Sequence, residues 1–119
     1  FAGQYKGIVV GTGNKVEDYG VGFYTKYGDG GVDIAPIADL YKTEVWELGK
    51  HLGVDSRIVE AKPTDGLWDD KRTDEDQLGA SYAELEEAME HGTGSAVEVL
   101  KKFNTQNKHK MEPIPTFKL

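Results

Sequence analysis

The sequence predicts an α/β chain that carries only part of its sheet, and three observations lead there. Tyr5 to Thr12, YKGIVVGT, is a β-branched run ended by Gly11-Thr12-Gly13, the pattern of a buried strand that delivers a turn. From Asp39 onward, apolar residues recur at helical spacing in several separate segments. Finally, the strands are too few. A buried strand needs neighbours on both sides to pair its backbone groups, and even a two-stranded hairpin is marginal. One clear strand and one shorter candidate stand against four or five helices. Either the remaining strands belong to a portion preceding Phe1, which stands only a few positions before the strand-like run, or the chain is mostly helical; the first is the better account.

Asn14 to Tyr19 is expected to form a brief helix after the first turn. The stretch Gly22 to Asp33, GFYTKYGDGGVD, satisfies neither helical nor strand periodicity. Three glycines within Gly28 to Gly31 would each weaken a regular element by about 1 kcal/mol relative to alanine, so the stretch is a loop. Val32 to Ile37 is extended, because Pro36 prevents a helix there. Asp39 then reads as the cap of a helix over Leu40 to Leu52, with Tyr41, Val45, Leu48 and Leu52 on one side and Gly53 ending it. Asp55 or Ser56 caps a short helix through Ala61, and Lys62 to Arg72 is a turn-rich acidic loop. Thr73 caps a single turn. Ser81-Tyr82-Ala83-Glu84 is a capping box opening a helix that Gly92 closes. Ser95 starts the last helix, expected to run to about Lys108 before a proline-extended tail.

Composition narrows the function. A length of 119 residues fits one domain, and the absence of cysteine excludes disulfides, thiolate zinc sites and a cysteine nucleophile within the chain. The net charge of −7, with carboxylates concentrated between Asp65 and Glu90, argues against nucleic-acid binding. The longest apolar run, Ile8 to Val10, is far too short to span a bilayer, and no signal region opens the chain. The expectation is a soluble, cytoplasmic protein with neither a nucleic-acid nor a membrane partner.

Several positions carry candidate chemistry. Gly-Thr-Gly at a strand end is how an α/β sheet presents a ligand loop, with the Thr12 hydroxyl able to donate; the plainer reading is a tight turn. Glu17 and Asp18 lie one helical turn later, and either carboxylate is placed to hold a divalent ion, or both form a solvated face. In the glycine-rich loop, Lys26 and Asp29 or Asp33 stand among Phe23, Tyr24 and Tyr27, a mixture suited to a flat heterocycle with an anionic group. Lys42 lies in a first helical turn, where a cation opposes the helix dipole unless a phosphate sits there. His51, His91 and His109 have no metal-ligand spacing, while His109-Lys110 forms a basic pair after the last helix.

The blocks GTGNKVED, GFYTKYGDGGVDIAPIADLYKTEVWELGKHLG, KPTDGLWDDKRTDEDQLGASYAELE and NKHKMEPIP together closely resemble the C-terminal half of ammonia-type NAD synthetases. The resemblance covers nearly all of residues 1–119, and its TKYGDGG-x-D and TDE-x-x-LG blocks are highly specific. It implies a Rossmann-like, adenine nucleotide α-hydrolase-type three-layer fold, of which this chain is the C-terminal part of one catalytic domain. It also implies a homodimer that uses ATP and Mg2+ to amidate deamido-NAD with ammonia, through an acyl adenylate, releasing AMP and pyrophosphate.

Carried over position by position, the resemblance implies Thr12, Lys42 and Thr64 as ATP contacts and Glu17, rather than Asp18, as the magnesium carboxylate. Lys26, Asp33, His109 and Lys110 are implied contacts of deamido-NAD, and Asp29 and Asp39 are left structural. The family's Ser-Gly-Gly-x-Asp-Ser pyrophosphate loop, whose aspartate is a second magnesium ligand, appears nowhere in the sequence, nor does an upstream arginine that contacts deamido-NAD. The segment is therefore expected to be inactive alone. A non-catalytic nucleotide-binding or regulatory module derived from the family is the alternative. Other ATP pyrophosphatases such as GMP synthetase are disfavoured, because they lack the TKYGDGGVD block.

Overall fold

Local side-chain chemistry sets where the helices begin. In the computed structural model, which describes all residues from Phe1 to Leu119, helix α1 spans Lys42–His51, α2 Ser56–Val59, α3 Asp74–Leu78, α4 Tyr82–His91 and α5 Val97–Met111. Asp55 accepts from the Arg57 amide at 2.9 Å to open α2. Thr73 and Asp76 exchange the two bonds of a capping box at α3, as do Ser81 and Glu84 at α4. Gly79 and Gly92 end α3 and α4 in the left-handed conformation.

Some boundaries differ from the expected ones. The brief helix expected over Asn14 to Tyr19 is a π-helical turn, Val16–Val21. Buried Asn14 opens it, its Oδ1 accepting from the amides of Val16 at 3.0 Å and Glu17 at 3.2 Å. Asp39 does not cap α1. Its side chain points into solvent and pairs only with Lys15, at 3.3 Å. The Leu40 amide is instead tied to the Ile37 carbonyl in a turn, and α1 starts two residues on, where the Tyr41 amide donates to Glu44 Oε2 at 2.7 Å. Helix α2 stops at Val59 rather than Ala61. Ser95 does not open α5 either, because its hydroxyl donates to Glu84 Oε1 at 2.6 Å. At the other end α5 continues past Lys108 to Met111.

The largest departure concerns the strand. Tyr5 to Thr12 is not buried: Ile8, Val9 and Val10 are all exposed, and the only β pairing is one parallel bridge, Val10 to Ile34. The core is helix on helix. Val16 and Val21 of the π turn pack with Leu78, Tyr82, Leu85, Ala88 and Ala96, and Phe23, Trp46, Met89, Leu100 and Phe103 close around them. Gly20 lies so near α4 that an added Cβ would stand 2.6 Å from Met89 Sδ. The Cα radius of gyration is 15.8 Å, against about 13.5 Å for a closed domain of this length. No helix is long and apolar enough to cross a membrane.

Candidate functional site

Two groups of predicted site residues come together, one on each side of the π turn. On the first side, Lys42 at the start of α1 donates from Nζ to Glu17 Oε1 at 2.9 Å, with both side chains mostly buried. The helix-dipole mismatch of Lys42 is thus offset by a carboxylate from the π turn. The Tyr82 hydroxyl donates to the same Oε1 at 2.8 Å, and the Lys42 ammonium stands 5.1 Å from the Tyr82 ring centre. The hydroxyl also lies 3.2 Å from Asp74 Oδ2. Asp74 is 7% exposed, and its Oδ1 has no partner.

Burial is the main cause that pushes the Asp74 carboxyl above the ordinary range, opposed by the Tyr82 hydroxyl; the same burial, with Glu17 and Asp74 adjacent, raises the Tyr82 phenol. Asp18, the alternative carboxylate, turns away from this group. It packs against Gly13 and borders a cavity with Asp29 and Tyr24, and burial raises its pKa as well.

The other ATP-assigned residues lie further out. Thr12 is exposed on the loop that leaves the Ile8 to Gly11 segment. Thr64 is exposed too, and its hydroxyl closes the acidic loop by donating to the Arg72 carbonyl at 3.1 Å. It connects to the Glu17 group only through its neighbour Pro63, whose carbonyl accepts from the Asp74 amide at 3.0 Å. The structure therefore brings Glu17 and Lys42 into contact, and Thr12 and Thr64 into contact with neither.

On the second side, the glycine-rich loop and the end of α5 are tied in both directions. Lys26 Nζ donates to the carbonyls of His109 at 2.5 Å and Glu112 at 2.8 Å, and so covers free acceptors at the α5 C-terminus. Lys110 Nζ donates back to the carbonyls of Gly22 at 2.8 Å and Tyr24 at 2.7 Å. Gly22 sits at φ +65°, and an added Cβ would stand 2.5 Å from Asn107 Cβ, so only glycine allows α5 this close. Asp29 keeps the structural role expected of it, with Oδ1 accepting from the Thr25 amide at 2.8 Å. Lys26, Asp33 and Lys110 border one cavity of about 500 Å³, and Lys26, His109 and Lys110 border an adjoining one of similar size. All four residues assigned to deamido-NAD thus surround one region.

The family's sequence profile, described as NAD synthase, matches residues 1–115. The chain belongs to the NAD synthase family. Relatives named NH3-dependent NAD+ synthetase include one from Archaeoglobus fulgidus, 58% identical over 82 residues, which are 69% of this chain and 32% of the relative. Another, from Methanosarcina acetivorans, is 41% identical over an alignment of 131 positions that covers 96% of this chain and 50% of the relative. Among solved structures, one titled as NMN synthetase from Francisella tularensis matches with a TM-score of 0.86 at 38% identity, covering 99% of this chain and 50% of that one. An NH3-dependent NAD synthetase from Campylobacter jejuni shares the fold, with a TM-score of 0.67 at 24% identity over 98% of this chain and 48% of that one. This NAD synthase chain spans at most about half the length of these relatives.

For Mg2+, the fit in this NAD synthase chain is partial. No group of three His, Cys, Asp or Glu side chains converges. Glu17 supplies one carboxylate, which suits an ion held by one or two carboxylates and substrate phosphates. Sequence reasoning did not single out Tyr82, whose hydroxyl donates to Glu17, or Asp74, which that same hydroxyl also approaches. Asp74 lies inside the TDE-x-x-LG block, but Tyr82 is 65 positions from Glu17, and nothing local marks their meeting.

Proposed function

We propose that this chain forms half of the active site of an ammonia-dependent NAD synthase, cytoplasmic and homodimeric when whole, within a three-layer Rossmann-like domain. The segment supplies the deamido-NAD loop and part of the ATP and Mg2+ site. The observation that carries this reading is the convergence of Lys26, Asp33, His109 and Lys110 around adjoining cavities, in a chain that matches the family over residues 1–115.

The reaction needs a carboxylate activated by ATP and then attacked by ammonia. The nicotinate carboxylate of deamido-NAD displaces pyrophosphate from ATP to give the acyl adenylate, and ammonia displaces AMP to leave the amide of NAD. Glu17 would hold Mg2+ in part, and the ion, when bound, would supply neutralisation of phosphate charge. The residues of this chain act by positioning and charge. Lys26 and Lys110 present cations beside the cavity that takes the deamido-NAD end. Lys42, released from Glu17, offers its ammonium to phosphate. No side chain here is placed as a nucleophile.

The Francisella tularensis match favours a second reading of the acid substrate, in which a mononucleotide takes the place of the dinucleotide. Offering a complete enzyme both acids in competition, with amide products read by mass spectrometry, separates the two.

In a complete enzyme carrying this segment, Lys26→Ala is expected to weaken deamido-NAD on the order of tenfold or more with little change for ATP, and Lys42→Ala the reverse. Equal effects on both ligands overturn the assignment. The chain alone, given ATP, Mg2+, deamido-NAD and ammonia, is expected to form no NAD. Formation at a rate near that of an intact enzyme refutes the half-site reading.

A further inference from the structure

The two oxygens of Glu17 are held unequally. Oε1 accepts from Lys42 Nζ at 2.9 Å and from the Tyr82 hydroxyl at 2.8 Å, whereas Oε2 meets only the Asn14 amide, at 3.4 Å, beyond the ordinary N–H···O range. The two donors to Oε1 differ in freedom. Lys42 reaches it on a flexible four-carbon stem. Tyr82 is 1% exposed, and its ring is fixed in the core edge-on to Trp46, with 6.1 Å between ring centres. Lys42 can swing away from Glu17, while Tyr82 cannot move without opening the core.

That asymmetry matters when Lys42 gives up Glu17 for phosphate. The Glu17 side chain is only 15% exposed, so an oxygen that loses its last donor there is left desolvated and unpaired. With the Tyr82 hydroxyl in place, Oε1 keeps one hydrogen bond. We propose that Tyr82 is a positioning residue for ATP binding, whose hydroxyl holds Glu17 in place and so lets Lys42 leave it for phosphate. The proposal rests on the reading of Lys42 as an ATP contact. Tyr82 acts through Glu17 and Lys42, not on the substrate. Its ring face, 5.1 Å from the Lys42 ammonium, attracts that cation whether or not the hydroxyl is present.

The test is a double-mutant cycle in a complete enzyme carrying this segment, with ATP affinity read by calorimetry in EDTA and again with Mg2+. Tyr82→Phe keeps the ring, its contact with Trp46 and its attraction for Lys42, and removes only the hydroxyl. It is expected to weaken ATP on the order of tenfold in EDTA, and by less with Mg2+, because Glu17 then has the ion as a partner. In the Lys42→Ala background the same change is expected to alter ATP affinity by less than about twofold, since Glu17 has no lysine to release. Unchanged deamido-NAD affinity in each variant shows that the fold is intact. A second measurement needs no variant. In a crystal structure of the unmodified complete enzyme with ATP and Mg2+, the Tyr82 hydroxyl is expected within about 3 Å of Glu17, with Lys42 Nζ on phosphate.

The proposal is overturned if Tyr82→Phe weakens ATP equally in both backgrounds, as a general loosening of the core does. A complex in which Glu17 has left Tyr82 also overturns it. ATP affinity lost in Lys42→Ala but kept in Tyr82→Phe removes this proposal alone. Lys42→Ala without effect on ATP removes the reading of Lys42 as an ATP contact, and this proposal with it.

Discussion

A phenol has one proton, and Tyr82 stands between two carboxylates. Its hydroxyl is 2.8 Å from Glu17 Oε1 and 3.2 Å from Asp74 Oδ2, so it can donate to only one of them at a time. Because the group is buried, removing the donor leaves carboxylate oxygens desolvated and short of a partner. Tyr82→Phe is therefore expected to lower stability by about 1–3 kcal/mol, read from urea unfolding at neutral pH. An unchanged or higher midpoint would show that neither carboxylate depends on the hydroxyl. At this scale the sequence was informative only in part. The resemblance favoured Glu17 over Asp18 as the magnesium carboxylate; the structure shows that Glu17 meets Lys42 while Asp18 borders a different cavity. The Tyr82 and Asp74 contacts lie beyond any local pattern, because they depend on how α3 and α4 pack against the π turn.

At the scale of elements, the helix starts with a short-range chemical cause were legible. The capping boxes at Thr73 and Ser81 and the glycine ends at Gly79 and Gly92 need only residues within one turn. Asp39 was misread because a cap must also have its backbone in place, and the turn to Ile37 delays α1 until Lys42. Glu84 gives an element-scale prediction. The Ser95 hydroxyl, then the Ser81 amide and hydroxyl, hold its carboxyl well below the ordinary value of 4.5, at about 2. Between those values the unfolded chain binds the proton and the folded chain does not, so stability rises with pH across that window. Glu84→Gln is expected to melt below the unmodified chain at and above pH 4.5, with the gap closing as pH falls towards 2. A gap that stays constant over that range would show that the carboxylate charge does not stabilise the α4 start.

On the scale of the whole molecule, α5 joins the parts. It packs on both the π turn and α4, and its end is cross-tied to the glycine-rich loop by Lys26 and Lys110. Ending the chain at Ala96 removes Val97, Val99, Leu100 and Phe103, all of which pack against the buried core. Such a chain is expected to lose its cooperative thermal transition by circular dichroism. A transition retained at the original temperature would mean that the core does not need α5.

The sequence by itself determined which segments turn, cap and coil, because those choices rest on contacts a few residues apart. Through its specific blocks it also pointed to the family, and four of the positions it singled out, Lys26, Asp33, His109 and Lys110, gather around adjoining cavities. Only the tertiary structure decided burial. YKGIVVGT has the composition of an inner strand and yet lies open, because burial belongs to the neighbours a segment finds, and one bridge to Ile34 covers only one edge. In the same way, the tertiary structure alone set Glu17 against Lys42 and Tyr82, since charges and hydroxyls from three elements meet only once those elements pack.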